Sequence, residues 1–102
     1  MTSCLEMVAF KLAPGANKDA FVDAAPEVTN WASQQPGFQY RTLVDRGEHG
    51  WIDMVWWASE ADAKAAGEKI MTEMMSSKFM MMIDPNSVKM EHHPVAHMGL
   101  AA

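Results

Sequence analysis

The chain has 102 residues, 49% hydrophobic and 21% charged, with a formal net charge of −5. That length makes one domain, 1–102, and that composition excludes a disordered chain. Its eight Lys and Arg residues are scattered singly, which excludes the clustered basic footprint of a nucleic-acid binder, and no apolar run is long enough to span a membrane.

Leu5–Leu12 reads as a first strand, apolar on both faces except at Glu6 and Lys11. Ala13-Pro14-Gly15-Ala16 turns the chain. A helix is expected over Asn17–Gln35, with Asn17 as N-cap and Asp19 in its first turn. Phe21, Ala24, Ala25, Val28, Trp31 and Ala32 draw one apolar stripe along it. Pro26 falls inside that stripe, which predicts a kinked helix and not two helices. Gln35-Pro36-Gly37 stops it.

Phe38–Asp45 is the second strand, with more polar alternation, and Gly47–Gly50 is a hairpin loop. Trp51–Trp57 is the most β-prone segment. Ser59-Glu60-Ala61-Asp62 is a capping-box variant opening a helix over Ser59–Met75, whose inner stripe is Ala63, Ala66, Gly67, Ile70 and Met74. Lys78–Ile83 reads as a short helical piece, Asp84–Ser87 as a turn and Val88–His93 as the last strand. The core is therefore 5–93, with 94–102 as a tail. The N-terminus has no basic region followed by an apolar run, and Cys4 has no second cysteine to pair with. Both point to a reducing cytoplasm.

The two halves each read strand, helix, strand. Written twice, this is the split βαβ pattern of a ferredoxin-like α+β fold. It gives one antiparallel sheet with both helices on one face. The other face is left bare, and a second copy of the chain is its most economical cover.

Several local features fit a known group: Phe10-Lys11-Leu12 before Pro14-Gly15, the Gln35-Pro36-Gly37-Phe38 turn, Asp53–Trp57 leading into an Ala-rich helix, and the Ile83-Asp84-Pro85 turn. In these the chain resembles the dimeric α/β-barrel superfamily, and within it the antibiotic-biosynthesis-monooxygenase-type domains. The resemblance implies a homodimer whose two sheets face each other as a barrel, with a pocket in each subunit between sheet and helices. It implies no single activity. The superfamily includes cofactor-free oxygenases, haem-degrading enzymes, isomerases and proteins of no known activity. The haem-degrading branch resembles a pattern with Asn on strand one and His on helix two. Neither is present here, so haem degradation is disfavoured. The oxygenase branch tends to use Asn, Trp and Arg, and the strand-one Asn is not matched.

Glu6, Asp53 and Arg41 are charged residues inside strands. Facing the helices, the carboxylates become buried proton acceptors, and Arg41 can bind an anionic or enolate oxygen. The competing reading is a structural ion pair of Arg41 with Asp53 or Glu6. Trp31 and Trp57 can wall a flat pocket or simply pack the core. Trp56 and Trp57 must point to opposite faces. His92 and His93 also alternate faces, so no bound metal is expected, and His92 alone is an acid–base candidate. Among the clustered methionines, Met74 is the candidate ligand contact. The sequence reading is a homodimer that binds a hydrophobic or aromatic small molecule and oxygenates it without metal or cofactor. The alternatives are a non-catalytic binding protein or an isomerase using Glu6, Asp53 and His92.

Overall fold

The computed structural model describes residues 2–101. Its elements run β1 (Cys4–Phe10), α1 (Lys18–Ser33), β2 (Phe38–Asp45), β3 (Trp51–Trp57), α2 (Glu60–Glu73), α3 (Lys78–Met81) and β4 (Lys89–Pro94). Local chemistry places the helices. Asn17 Oδ1 accepts from the Ala20 N–H at 2.8 Å, and Ser59 Oγ accepts from the Asp62 N–H at 3.1 Å. α1 runs through Pro26 as one helix. At the turn into β2, Gly37 has φ +84° and a Cβ there would collide with the Asp62 side chain, so only glycine fits.

The sheet order is β2-β3-β1-β4 with antiparallel pairing throughout. This is the ferredoxin-like fold that the sequence pattern predicts. β2 and β3 have the expected bounds. β1 ends two residues early, because the Lys11 N–H leaves the ladder for Ser87 Oγ at 2.8 Å and Leu12 bridges to Ile83. β4 starts one residue late, because Val88 still caps a 3₁₀ turn at Pro85–Ser87. It also takes in Pro94, and the Val95 N–H continues to the Ser3 carbonyl at 2.8 Å.

Register decides which parity meets the helices. Cys4, Glu6, Val8 and Phe10 lie across from Trp57, Val55, Asp53 and Trp51, and these are the positions that the helices bury or that line the space beneath them. On β4 the partners of Glu6 and Val8 are His92 and Met90. The opposite parity sets Leu5, Met7 and Ala9 beside Trp56, Met54 and Ile52, then Tyr40, Thr42 and Val44. No element of the described chain covers that face. Tyr40 and Trp56 meet there at 5.6 Å between ring centroids.

Under the helices the core has two parts. Cys4, Ala32, Val55, Trp57, Ala63 and Ala66 fill one end. Phe10, Phe21, Val28, Trp51 and Phe79 fill the other. Phe79 comes from α3 and stacks on Phe21 at 4.3 Å, so the short helix plugs this end of the sheet. Among the described residues no helix is long and apolar enough to cross a membrane.

Candidate functional site

The two core clusters do not meet. Small residues on α2 bring it near the sheet at one end, and α3 closes the other. Between them lies a cavity of about 370 Å³. Its floor is the helix-facing side of β1, β2 and β3, and its roof is α1, α2 and α3. Val88 and Met90 stand at the β4 side. Gly67 on α2 faces this space with nothing within 4 Å of where a Cβ would stand.

The cavity is walled by apolar groups, with three charged residues in its lining: Glu6, Asp53 and Arg41. Glu6 is 8% exposed. Its Oε2 lies 3.1 Å from His92 Nε2, the residue directly across the ladder. Burial pushes the Glu6 carboxyl above the usual carboxylate range. The hydrogen bond and charge of His92 pull it back in part, and the nearby charge of Asp53 adds to the rise. The Trp57 indole N–H is buried without a hydrogen bond of good geometry. It approaches the Glu6 carboxyl closely enough to favour its ionised form only slightly.

Arg41 and Asp53 form a buried ion pair, with side chains 3% and 13% exposed. Arg41 Nε donates to Asp53 Oδ1 at 3.0 Å and Nη2 donates to Oδ2 at 2.6 Å. Nη1 donates to the Ala25 carbonyl at 2.8 Å and to Thr29 Oγ1 at 2.9 Å. The guanidinium also lies 4.9 Å above the Phe79 ring centre. One Nη2 N–H is left without a partner among the described residues. Of the two readings for this pair, the structure contains the ion pair, and the pair itself forms cavity wall.

Trp31 and Trp57 both line the cavity. Trp31 is held at the α1–α2 edge by its indole N–H, which donates to Glu73 Oε1 at 3.0 Å. Met74 does not line the cavity. It caps α2 and packs against the Phe10–Phe21 cluster, while Met71, Met75 and Met80 take the lining positions. Gly67, Met71 and Met75 recur every four residues, and that spacing was the available signal for a second α2 edge beside Ala63, Ala66, Ile70 and Met74. His93 lies on the other face and pairs with Glu91 at 3.1 Å. Among the described residues no group of three or more His, Cys, Asp or Glu is placed to hold a metal ion. Burial pushes the Cys4 thiol up, away from the reactive thiolate.

No family model matches the chain, and no curated protein does. Solved structures share its fold. SnoaB, a cofactor-independent oxygenase from Streptomyces nogalater, superposes with a TM-score of 0.74 at 10% identity, over 96% of this chain and 97% of that one. A protein of unknown function from Nitrosomonas europaea gives 0.69 at 17% identity, over 100% and 97%. A monooxygenase from the gene ActVA-Orf6 of Streptomyces coelicolor, in complex with nanaomycin D, gives 0.62 at 17% identity, over 99% and 94%. At these identities the likeness is one of fold.

Proposed function

We propose that this ferredoxin-like chain, which shares its fold with cofactor-independent oxygenases, holds a neutral aromatic or polyketide-like molecule between sheet and helices and removes a proton from it. The observation that carries this reading is a buried carboxyl, raised by burial and bonded to a histidine, in the wall of an apolar cavity. A base works best when its pKa approaches the working pH, and burial moves Glu6 that way. The cavity volume of about 370 Å³ falls within the range of small-molecule sites.

Glu6 is the proton acceptor and His92 its partner. Asp53 acts on Glu6 through its charge and holds Arg41. The remaining Nη2 N–H of Arg41 is the donor for a ligand oxygen, and Trp31 and Trp57 are the flat walls. Met71 and Met75 take the ligand-contacting role expected of Met74.

Deprotonation of an anthrone- or hydroquinone-type substrate leaves an electron-rich anion. The anion passes one electron to O₂, and the radical pair recombines as a peroxide. Loss of water then leaves a carbonyl. For an anthrone the sum is substrate plus O₂ giving quinone plus water, with no metal or flavin required.

The protein does this as a homodimer whose bare sheet faces are buried against each other. The continuous apolar surface from Leu5, Met7, Val44, Ile52, Met54 and Trp56 supports this. The free, buried Cys4 suits the cytoplasm.

Oxygen uptake with anthrone, corrected for autoxidation, tests the reading. Protein-dependent uptake of one O₂ per anthrone is expected. Glu6→Gln should lower kcat by about a hundredfold or more while still binding the substrate. Uptake that never rises above the autoxidation rate, with anthrone or with dihydroxynaphthalenes, would remove the oxygenase assignment.

A further inference from the structure

A second recess lies behind the Glu6–His92 pair. It has a volume of about 230 Å³ and is lined by Thr2, Ser3, Cys4, Glu60, His92 and His93, with Pro94 at its edge. Glu6 lines the main cavity and not this recess, whereas His92 lines the recess and not the main cavity. The two side chains meet at 3.1 Å. The wall between the two spaces is therefore, at this point, one carboxyl and one imidazole.

The imidazole has a nitrogen on each side. Nε2 faces Glu6. Nδ1 has no partner among the described residues, yet it is not among the buried polar atoms sealed from solvent, of which Trp57 Nε1 is the one such case there. It is thus open to water.

The groups facing Glu6 are Asp53 and Trp57 from β3, His92 from β4 and, on its own strand, Cys4, whose thiol is held in its protonated form by burial and nearby carboxylates. Asp53 is held by Arg41, and the Trp57 indole is only a donor. An apolar ligand in the cavity displaces the water on that side. A proton on Glu6 then has one exit, through His92.

We propose that His92 is a proton conduit that connects Glu6 to the recess behind it, so that the base exchanges protons with solvent while a ligand closes the cavity. This rests on the reading of the cavity as a ligand site. The step balances. A protonated Glu6 gives its proton to Nε2 while Nδ1 gives one to water, and the ring passes from the Nδ1–H to the Nε2–H tautomer. Uptake is the reverse.

Time-resolved infrared spectroscopy after light-triggered release of a caged proton tests this without turnover. The carboxyl C=O band of Glu6, identified by its loss in Glu6→Gln, reports protonation. The cavity is filled with 1-methoxynaphthalene, which has no proton to give. In the parent the band should rise equally fast with and without the probe. His92→Gln keeps a side chain that can hydrogen-bond Glu6 but cannot relay. With the probe bound, the band in this variant should rise about a hundredfold or more slower, the low end of what one positioned proton-transfer group contributes. His92→Leu, which keeps the wall closed and has no group to relay through, should be slowed likewise. Full-speed protonation in probe-filled His92→Gln or His92→Leu overturns the conduit. Failure of 1-methoxynaphthalene to bind the parent at all overturns instead the cavity reading beneath it.

Discussion

Replacing Asp53 by Leu strands a buried charge. The Arg41 side chain is 3% exposed and keeps only the Ala25 carbonyl, Thr29 Oγ1 and the Phe79 face as partners. Breaking one side of a buried pair costs about 3–5 kcal/mol, because the surviving guanidinium is neither hydrated nor neutralised. For a domain near this size each kcal/mol lowers Tm by roughly 4–8 °C. The expected fall is thus tens of degrees, a large share of the about 5–15 kcal/mol that holds such a domain folded. Arg41→Met should cost a similar amount by stranding Asp53. The double variant Arg41→Met/Asp53→Leu removes both charges. It forfeits the tie from β2 to the Ala25 carbonyl, one residue before Pro26 in α1, so it should return to within about 1–2 kcal/mol of the parent without exceeding it. Urea unfolding at one fixed protein concentration, read by tryptophan fluorescence, supplies the four free energies of the cycle. A single variant no less stable than the double would show that the pair is not coupled and that the wall of the cavity is held by something else.

Three other outcomes follow from the same geometry. Trp57, 2% exposed and edge-on to Phe38 at 5.8 Å, should cost about 3–5 kcal/mol on truncation to Ala; a parent-like urea midpoint would show that the residue is not core. Glu6 is raised above its ordinary value by burial, so its favourable contribution is present below the unfolded carboxyl's pKa and is lost as pH rises through the folded one. Glu6→Gln should therefore gain stability relative to the parent as pH rises from about 4 to 7, and a relative loss over that window would contradict the burial argument. Trp56→Glu places a charge in the centre of the bare sheet face and should turn a species of twice the monomer mass into monomers by light scattering; a parent that is already monomeric at micromolar concentration would end the dimer reading.

Much of the fold was legible because its boundaries are written locally. β2 and β3 are fenced by Gln35-Pro36-Gly37 and by the Gly47–Gly50 turn, and both came out at the expected residues. β1 did not, since Leu12 leaves the sheet for Ile83, a partner far along the chain that no local pattern announces. Strand parity groups Glu6 with Val8 and Phe10, Asp53 with Val55 and Trp57, and His92 with Met90; the pairing register then puts the three sets on one face. Which face meets the helices does not follow from parity, because β1 and β3 are apolar on both sides and only the assembled register resolves them. Met74 stands outside the cavity lining for a related reason. α2 ends at Glu73 with Met74 as its C-cap and Met75 one residue beyond, so the turn after Met71 decides which of them borders the cavity. The sequence places Phe79 in a short helical piece. Its role as the plug against Phe21 depends on where α3 docks, which is tertiary information.

On the proposed reading the cavity takes a neutral hydroxyarene. Calorimetric titration with 1-naphthol and with 1-naphthoate tests it most directly, in the parent and in Gly67→Leu. Gly67 borders open space, so a leucine there takes up ligand volume without a clash at its Cβ. Glu6 and Asp53 line the wall and Arg41 is already neutralised by Asp53, so a carboxylated ligand meets repulsion with no free cation to offset it. The parent should bind one naphthol per chain. Naphthoate should bind at least about tenfold more weakly, a difference of about 1.4 kcal/mol, and Gly67→Leu should bind neither. Naphthoate binding more tightly than naphthol, or naphthol binding unchanged in Gly67→Leu, would contradict the account.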